Sequence, residues 1–235
     1  MRLDRFSSSQ RTDLSRSDVK AMIKKGLVSV DGTLAKKADM QIDENNTIVS
    51  VNGEEIAYRR FLYLMLNKPA GVVCSTKEGE SLTVLDIIPE EYRRQGLFPA
   101  GRLDKDTEGF VLLTDDGQLA HRILSPRSHV PKTYFVRLEK PWEESYAKSF
   151  ESGMEIDGGE KCLPAVFKGG ESRYECRVVL REGKFHQVKR MFEALGNKVV
   201  YLKRVKIGDL PLDENLPLGG CLEIMHKDVE RLQTQ

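Results

Sequence analysis

Phe98-Pro-Ala-Gly-Arg-Leu-Asp-Lys-Asp-Thr-Glu-Gly109, followed by Phe110-Val-Leu-Leu113, is the stretch that decides the fold. Its first four residues include a Pro and a Gly, which disfavour a helix. The apolar run at 110–113 is typical of a strand. The stretch therefore predicts an acidic turn that leads into a strand, with Asp104 in the turn.

The same acidic turn has the spacing of a calcium-binding loop. Counted from Asp104, carboxylates occupy positions 1, 3, 5 and 12, and Gly109 occupies position 6. Such a loop lies between two helices, whereas the incoming segment here contains Pro99 and Gly101. The twelfth residue, Asp115, is also shorter than the bidentate Glu of these loops. We therefore expect no metal, although a plain turn-capping role for Asp104 stays open at this point.

Length and composition indicate an ordinary globular protein of one large or two modest domains. The 235 residues are 40% hydrophobic and 31% charged, and no apolar run approaches the ~20 residues that span a bilayer. The first residues contain no apolar segment typical of a signal peptide. The four cysteines show no Cys-x-x-Cys spacing, which argues against a zinc site or a disulfide framework. We expect a cytoplasmic protein that does not contact a membrane.

A formal net charge of +1 conceals two basic segments. Residues 1–37 hold nine Lys and Arg against four Asp, a balance of +5, and residues 177–206 hold nine against two Glu, a balance of +7. Such segments are typical of a surface that binds a polyanion. They are equally compatible with solvated helix faces, so charge alone does not decide between the two.

Residues 1–58 predict a small separate domain. Ser15-x-x-Asp18 resembles a capping box at the start of a helix over about 16–25. Strands at 27–30 and 47–51 each lead into a tight turn, Asp31-Gly32 and Asn52-Gly53. The segment 54–60 is predicted to be a linker.

The remaining residues, 59–235, predict a second domain of the α+β class. Alternating or continuous apolar runs predict strands at 62–66, 110–113, 133–138 and 174–180. Helical periodicity predicts helices at 117–124, 142–152 and 185–195.

Four motifs in a fixed order resemble those of the RsuA-type pseudouridine synthases, bacterial enzymes that act on ribosomal RNA. They are Leu66-Asn-Lys-Pro-Ala-Gly71, the stretch 98–109, Lys132-Thr-Tyr134 and Glu182-Gly-Lys-Phe-His-Gln-Val-Lys-Arg-Met-Phe192. The first 45 or so residues are similar to the alpha-L RNA-binding domain. The resemblance implies that domain at 1–58, then a catalytic domain at 59–235 built on a mixed, mainly antiparallel sheet with flanking helices.

The resemblance also implies roles for individual residues. Asp104 would be the catalytic carboxylate and Lys189 the cation that keeps it ionised. Tyr134 would stack on a flipped-out uracil and accept a proton. Arg102 would hold the place that the base vacates or bind the displaced strand. Further candidates for binding RNA are basic side chains: Arg190, Arg11, Arg16, Lys20, Lys24 and Lys25.

Each of these residues also has an ordinary structural explanation. Lys189 is compatible with an exposed helix charge, Tyr134 with strand packing, and Arg102 with an ion pair to Asp104 or Asp106. A binding module, however, has no use for a carboxylate, a tyrosine and a lysine in this combination. The family resemblance therefore favours an enzyme over a non-catalytic RNA-binding protein of ribosome assembly.

The expected substrate is a uridine of ribosomal RNA, presented within an assembling subunit to a monomeric enzyme. The isomerisation needs no redox step, phosphate donor or metal, so we expect no cofactor. Chain length and the stretch Val72-Val-Cys-Ser-Thr76 are most similar to the enzymes acting on the small subunit. Enzymes acting on the large subunit share the same four motifs, which leaves that alternative open.

Overall fold

A computed structural model describes every residue except 12, 77, 78, 80, 126, 127, 129 and 235. The chain divides into two compact units. The first comprises Met1–Leu62 and Pro89–Leu97, and the second comprises Tyr63–Ile88 and Phe98–Gln235. The domain boundary that we place between residues 58 and 59 stays a prediction. Within the described ranges, no helix is long and apolar enough to cross a membrane.

The first unit packs two helices against a small antiparallel sheet. Its elements are α1 (Leu3–Gln10), α2 (Arg16–Lys24), β1 (Val28–Val30), β2 (Thr33–Leu34), β3 (Val49–Val51) and β4 (Glu54–Ile56). The strand order is β2-β1-β3-β4. Leu3 and Phe6 of α1, together with Val19 and Ile23 of α2, form its core with the sheet valines. The apolar residues of both helices thus pack into a hydrophobic core that belongs to the first unit.

Local sequence signals set the boundaries in this unit. The Ser15 hydroxyl accepts a hydrogen bond from the Asp18 amide, and the Asp18 carboxylate accepts one from the Ser15 amide, so α2 begins with the predicted capping box. Both predicted turns have two successive residues with positive φ, as tight hairpin turns require. The prediction of a linker at 54–60 is wrong for Glu54–Ile56, because the Asn52-Gly53 turn returns the chain to pair with β3.

The second unit is built on one large sheet. The strands of this unit are β5 (Tyr63–Lys68), β6 (Phe98–Pro99), β7 (Glu108–Thr114), β8 (Lys132–Leu138), β9 (Glu155–Ile156), β10 (Glu160–Lys161), β11 (Val166–Gly169), β12 (Glu175–Leu180), β13 (Val199–Ile207), β14 (Leu210–Pro211) and β15 (Cys221–Glu223). Strands β9 and β10 form a separate two-stranded sheet. The helices of this unit are α3 (Gly117–Leu124), α4 (Ser145–Ser152), α5 (Gln187–Ala194) and α6 (His226–Val229).

The large sheet has the order β11-β12-β8-β13-β7-β5-β15, with β14 beside β13 and β6 beside β7. Its described pairings are antiparallel except that of β13 with β7. This confirms the predicted mixed, mainly antiparallel sheet with flanking helices. Every residue of β7 from Gly109 to Thr114 is buried, because this strand is covered on both faces.

The predicted helices are confirmed, with small shifts at their ends. Helix α3 has the predicted bounds, whereas α4 begins at Ser145 and α5 at Gln187. Trp142 lies outside α4 because its amide and its indole N–H donate to the Arg173 and Ser172 carbonyls. Before α5, His186 adopts a left-handed conformation with φ 48°. Strand β13 was not predicted, since its cations at 203, 204 and 206 disguise a central strand as a surface segment.

Gly109 of β7 pairs with Arg204 of β13. Its φ is +101°, and a Cβ at this position would lie 2.3 Å from the Arg204 carbonyl oxygen. Side chains other than hydrogen are therefore excluded by both backbone conformation and space. Gly109 lets the strand that follows the acidic turn pair with the centre of the sheet.

We predict that Gly109→Ala lowers the free energy of unfolding by about 2–4 kcal/mol, because it adds a backbone clash to a strained φ. Gly117→Ala is the matched control. Nothing lies within 4 Å of a Cβ at Gly117, the first residue of α3, so this change should alter stability by less than about 1 kcal/mol. Urea unfolding of both variants measures the difference, and equal stabilities would contradict the argument.

Candidate active site

A cleft of about 720 Å³ opens in the second unit. The turn that contains Asp104 forms one wall, and the segment Glu182–Val188 forms the opposite one. Between them, Tyr134 of β8 and Leu202 of β13 contribute to the lining. The motifs at 98–109, 132–134 and 182–192 therefore meet at one place, although up to about 90 residues separate them in the sequence.

The acidic turn is held from beneath by Lys68, at the end of β5. This side chain is fully buried, and its ammonium donates hydrogen bonds to the carbonyls of Pro69 (2.9 Å), Lys105 (3.2 Å) and Thr107 (2.7 Å). Burial lowers the pKa of Lys68. The Thr107 amide also donates to the Asp104 carbonyl, which closes the turn. The motif at 66–71 thus contributes a buried cation that fixes the backbone around Asp104.

Asp104 is paired with a cation from the opposite wall. The Lys189 ammonium lies 3.0 Å from Oδ2 of Asp104 and 2.6 Å from Oδ1 of Asp106. On the other side of the carboxylate, Nε2 of His186 lies 3.5 Å from Oδ1 of Asp104. The Asp104 side chain keeps 26% of its surface exposed, so it remains accessible from the cleft. The pair predicted from the sequence, Asp104 with Lys189, is thus brought together.

Lys189 is shared between two carboxylates that differ in exposure. Burial lowers the pKa of Lys189, but its hydrogen bonds to Asp106 and Asp104 outweigh that effect and raise it. The hydrogen bond from Lys189 is also the main reason why the pKa of Asp106 is lowered. Asp106 is 73% exposed, whereas Asp104 faces the cleft. Lys189 therefore stays protonated, and its charge is available to keep a neighbouring carboxyl ionised.

Tyr134 and Arg102 lie at different depths of the same cleft. Tyr134 is only 9% exposed and stands directly opposite Arg204 in the register of β8 and β13. Arg102 is exposed at the opening. Among the described residues, Arg102 forms no salt bridge, so the ion pair with Asp104 or Asp106 considered from sequence is not formed. Its guanidinium remains available to a ligand.

Arg190 does not face the cleft. Its guanidinium bonds to the side chain and the carbonyl of Asp157, to the Glu160 carboxylate and to the Phe185 carbonyl. These bonds occupy the groups that a phosphate contact would use. The structure therefore connects Arg190 to the segment that carries Phe185 rather than to open solvent.

The candidate RNA-binding residues of the first unit lie on or beside α2. Arg16, Lys20, Lys24 and Lys25 are exposed. Arg11 instead pairs with Asp13 and Glu54. Four of the five side chains thus present their charge to solvent.

Besides Lys68, sequence reasoning missed two further buried cations of the second unit. Lys132 donates to the Ile123 carbonyl at the end of α3 (3.1 Å), and Arg204 donates to the Phe110 carbonyl (2.7 Å). Burial, with a smaller contribution from the nearby Arg204 charge, lowers the pKa of Lys132 to about 8. Lys and Arg in a basic stretch are ordinarily solvent-exposed, so no sequence signal marks these two as buried.

The acidic turn does not have the surroundings of a calcium-binding loop. Strand β6 precedes it and β7 follows it, where a calcium loop has helices. The Lys189 ammonium also lies between the carboxylates of Asp104 and Asp106. The position that a cation would take beside these two groups is therefore occupied by a side chain.

Comparison with known proteins identifies the family. The model of the family described as RNA pseudouridylate synthase matches residues 62–194, more than half of the chain. The chain belongs to this family. An S4 domain matches residues 1–48, the part for which a small RNA-binding domain was predicted. This pseudouridine synthase therefore acts on RNA.

Relatives are similar over the full length of the enzyme. An uncharacterized RNA pseudouridine synthase of Bacillus subtilis is 44% identical, with 99% of this chain and 98% of the relative aligned. The ribosomal small subunit pseudouridine synthase A of Haemophilus influenzae is 41% identical, with 99% of both chains aligned. A crystal structure of a pseudouridylate synthase is 39% identical and superposes with a TM-score of 0.69 over 99% of both chains. Both the fold and the order of the two domains are thus those of the family.

The buried Lys132 predicts a pH dependence of stability. Its pKa is about 8 in the folded protein and near the ordinary 10.5 in the unfolded chain. Between these values the unfolded chain binds a proton that the folded protein has released, so this group makes the free energy of unfolding rise with pH. At ~1.4 kcal/mol per pH unit, its contribution is at most about 3.5 kcal/mol.

We predict that Lys132→Met removes this rise. Urea unfolding between pH about 8 and about 10.5 should show a shallower dependence in the variant than in the unmodified protein. Lys148→Met, at an exposed lysine of α4, is the control and should keep the full dependence. If the free energy of unfolding rose equally with pH in all three proteins, the rise would not originate from Lys132.

Proposed function

We propose that this enzyme converts a uridine of small-subunit ribosomal RNA to pseudouridine, with Asp104 as the catalytic carboxylate. The observation that carries the assignment of Asp104 is its 3.0 Å pairing with Lys189 in a cleft that Tyr134 also lines. The choice of RNA rests on the Haemophilus influenzae relative, whose name specifies the small subunit. The full-length similarity to that relative favours the same substrate over the large subunit.

Asp104 assists both the detachment of uracil and its rebonding. The bond between the ribose and N1 breaks, the base turns, a bond to C5 forms, and the proton on C5 is lost while N1 gains one. Substrate and product are isomers, so the reaction consumes no co-reactant. Asp104 acts as a carboxylate, and the Lys189 ammonium places an opposite charge 3.0 Å from it. His186, on the opposite oxygen, restricts the rotation of the carboxylate.

Tyr134 provides the surface on which the flipped uracil stacks. It is buried in the cleft and held in the centre of β8, so its ring offers a rigid face to the base. Its hydroxyl is the acceptor for the C5 proton once the new bond has formed. A fixed ring of this kind limits how far the detached uracil moves while it turns.

Arg102 and the first unit serve the RNA outside the cleft. Flipping a base from a helix costs a few kcal/mol, and a guanidinium that stacks or pairs with phosphate offsets part of this cost. Arg102 is exposed at the cleft and unengaged in any salt bridge of the described residues, so it is suited to this task. The lysines of α2 bind phosphates elsewhere on the RNA. Two linked contacts raise the effective affinity for one site in a large RNA.

We predict that Asp104→Asn lowers pseudouridine formation by at least about 10³-fold, because it removes the catalytic carboxylate. RNA affinity should stay within a few-fold, since Asn has nearly the same shape. The assay maps pseudouridines in small-subunit ribosomal RNA after incubation with the full-length enzyme.

Asp106→Asn is the matched control for this experiment. Asp106 binds the same lysine but is largely exposed, so its loss should cost at most about 1 kcal/mol, or about 5-fold in rate. A catalytically competent Asp104→Asn variant, or equal losses in both variants, would refute the assigned role of Asp104.

We predict that Lys24→Gln with Lys25→Gln weakens RNA binding and flattens its salt dependence. Each phosphate contact contributes a slope of about 0.7–0.9 in log K against log salt, so two lost contacts reduce it by about 1.4–1.8. Lys36→Gln with Lys37→Gln removes the same charge from exposed positions after β2, away from the end of α2 in the sequence, and should change the slope less. Identical slopes for the two double variants would argue against α2 as the RNA-binding surface.

A further inference from the structure

Phe185 is the most exposed large hydrophobic residue among those described. It exposes 73% of its surface, and it lies on the wall of the cleft opposite the Asp104 turn. The reaction as derived above does not use it. The ring lines the cleft, so a base that stacked on it would remove apolar surface from water beside the reacting groups.

One face of the Phe185 ring is already covered by a neighbour that contacts the catalytic carboxylate. The rings of Phe185 and His186 are stacked, with centroids 3.7 Å apart and planes inclined by 20°. His186 in turn lies 3.5 Å from Asp104. The order from the carboxylate outward is therefore Asp104, His186, Phe185 and then solvent. The ring of His186 thus lies between Asp104 and Phe185, and the other face of Phe185 is exposed.

The backbone around this ring is fixed. The Phe185 carbonyl accepts a hydrogen bond from Arg190, which Asp157 and Glu160 hold in place. His186 has the left-handed conformation that non-glycine residues rarely adopt. The exposed ring is thus presented by an ordered segment rather than by a freely moving loop.

The preceding residues of the segment are also tied to the protein. The Lys184 amide donates to the side chain of Gln187, and Gln187 donates to the carboxylate of Glu182. The Lys184 ammonium pairs with Glu160 (3.0 Å). Because these bonds exist before any ligand binds, little entropy is lost when a ring stacks on Phe185.

We propose that Phe185 is a stacking platform for the base of the nucleotide next to the target uridine. The inference rests on the proposed role of Asp104, which places the target ribose at the inner end of the Asp104–His186–Phe185 series. The next base along the strand then meets the open face of Phe185. An aromatic face stacks any of the four bases, so the platform contributes affinity and positioning rather than base identity.

The surroundings of Phe185 favour RNA over a protein partner. The ring is an isolated aromatic residue next to His186, and the exposed guanidinium of Arg102 lines the same cleft. A protein interface would instead need a contiguous apolar area. Arg190 acts here as a positioning residue, since it holds the backbone of Phe185 and contacts no substrate.

The test uses the full-length enzyme and a short RNA fragment centred on the mapped uridine, with 2-aminopurine as the adjacent base. Phe185→Leu should raise KM by about 5-fold to 150-fold, the range that corresponds to the loss of one base–aromatic stack, and leave kcat within a few-fold. The 2-aminopurine fluorescence should be quenched by the unmodified enzyme but not by Phe185→Leu. Phe185→Trp should restore both the KM and the quenching.

Tyr174→Leu is the matched control, since Tyr174 is an exposed aromatic residue of the same unit outside the cleft lining. It should leave KM and quenching unchanged. The platform would be overturned if Phe185→Leu still quenched the 2-aminopurine fluorescence, or if Phe185→Leu and Phe185→Trp raised KM and lost quenching equally. The proposed function would stand in either case as long as the unmodified enzyme converts the uridine. Failure of the unmodified enzyme to modify any ribosomal RNA would overturn both.

Discussion

The ion pair between Asp104 and Lys189 connects the two walls of the cleft, and the rest of the site depends on it. Both side chains are largely removed from water, at 26% and 20% exposure, so neither charge is fully solvated. A partly buried charge without its partner is costly, which makes the pair a strong constraint on how the walls meet. The second carboxylate, Asp106, also binds the Lys189 ammonium, and the other oxygen of Asp104 lies 3.5 Å from Nε2 of His186.

Most of the motif residues around this pair act on the backbone rather than on substrate. Lys68 places an ammonium beneath the turn and donates hydrogen bonds to three backbone carbonyls. Gly109 allows β13 to approach the strand that follows the turn. The hydrogen bonds of Lys68 and the missing side chain at Gly109 together fix the backbone from which Asp104 reaches Lys189. The motifs at 66–71 and 98–109 therefore contribute residues that position the catalytic candidate, Asp104.

The fold class and the pairing of Asp104 with Lys189 could be predicted from the sequence, because motif residues and apolar spacing carry that information. Strand β13 could not, since its charged residues resemble a surface segment. One of them, Arg204, meets its hydrogen-bond partner, the Phe110 carbonyl, only in the folded protein. Arg190 was taken for a phosphate contact for the same reason. Its position next to Lys189 indicates a basic surface, whereas its actual partners, Asp157 and Glu160, lie some 30 residues away in the sequence.

These buried and paired cations change how the charge balance is interpreted. In the segment 177–206, Lys184, Lys189, Arg190 and Lys206 form salt bridges within the protein, and Arg204 is buried. Its balance of +7 therefore overstates the charge that RNA meets at the cleft. The helix α2 differs, because its lysines are exposed.

The first unit therefore contributes more to the long-range attraction of RNA, whereas recognition at the cleft depends more on shape and stacking. An exposed, rigidly held phenylalanine beside the catalytic carboxylate fits that division, since stacking needs no free charge and is insensitive to salt.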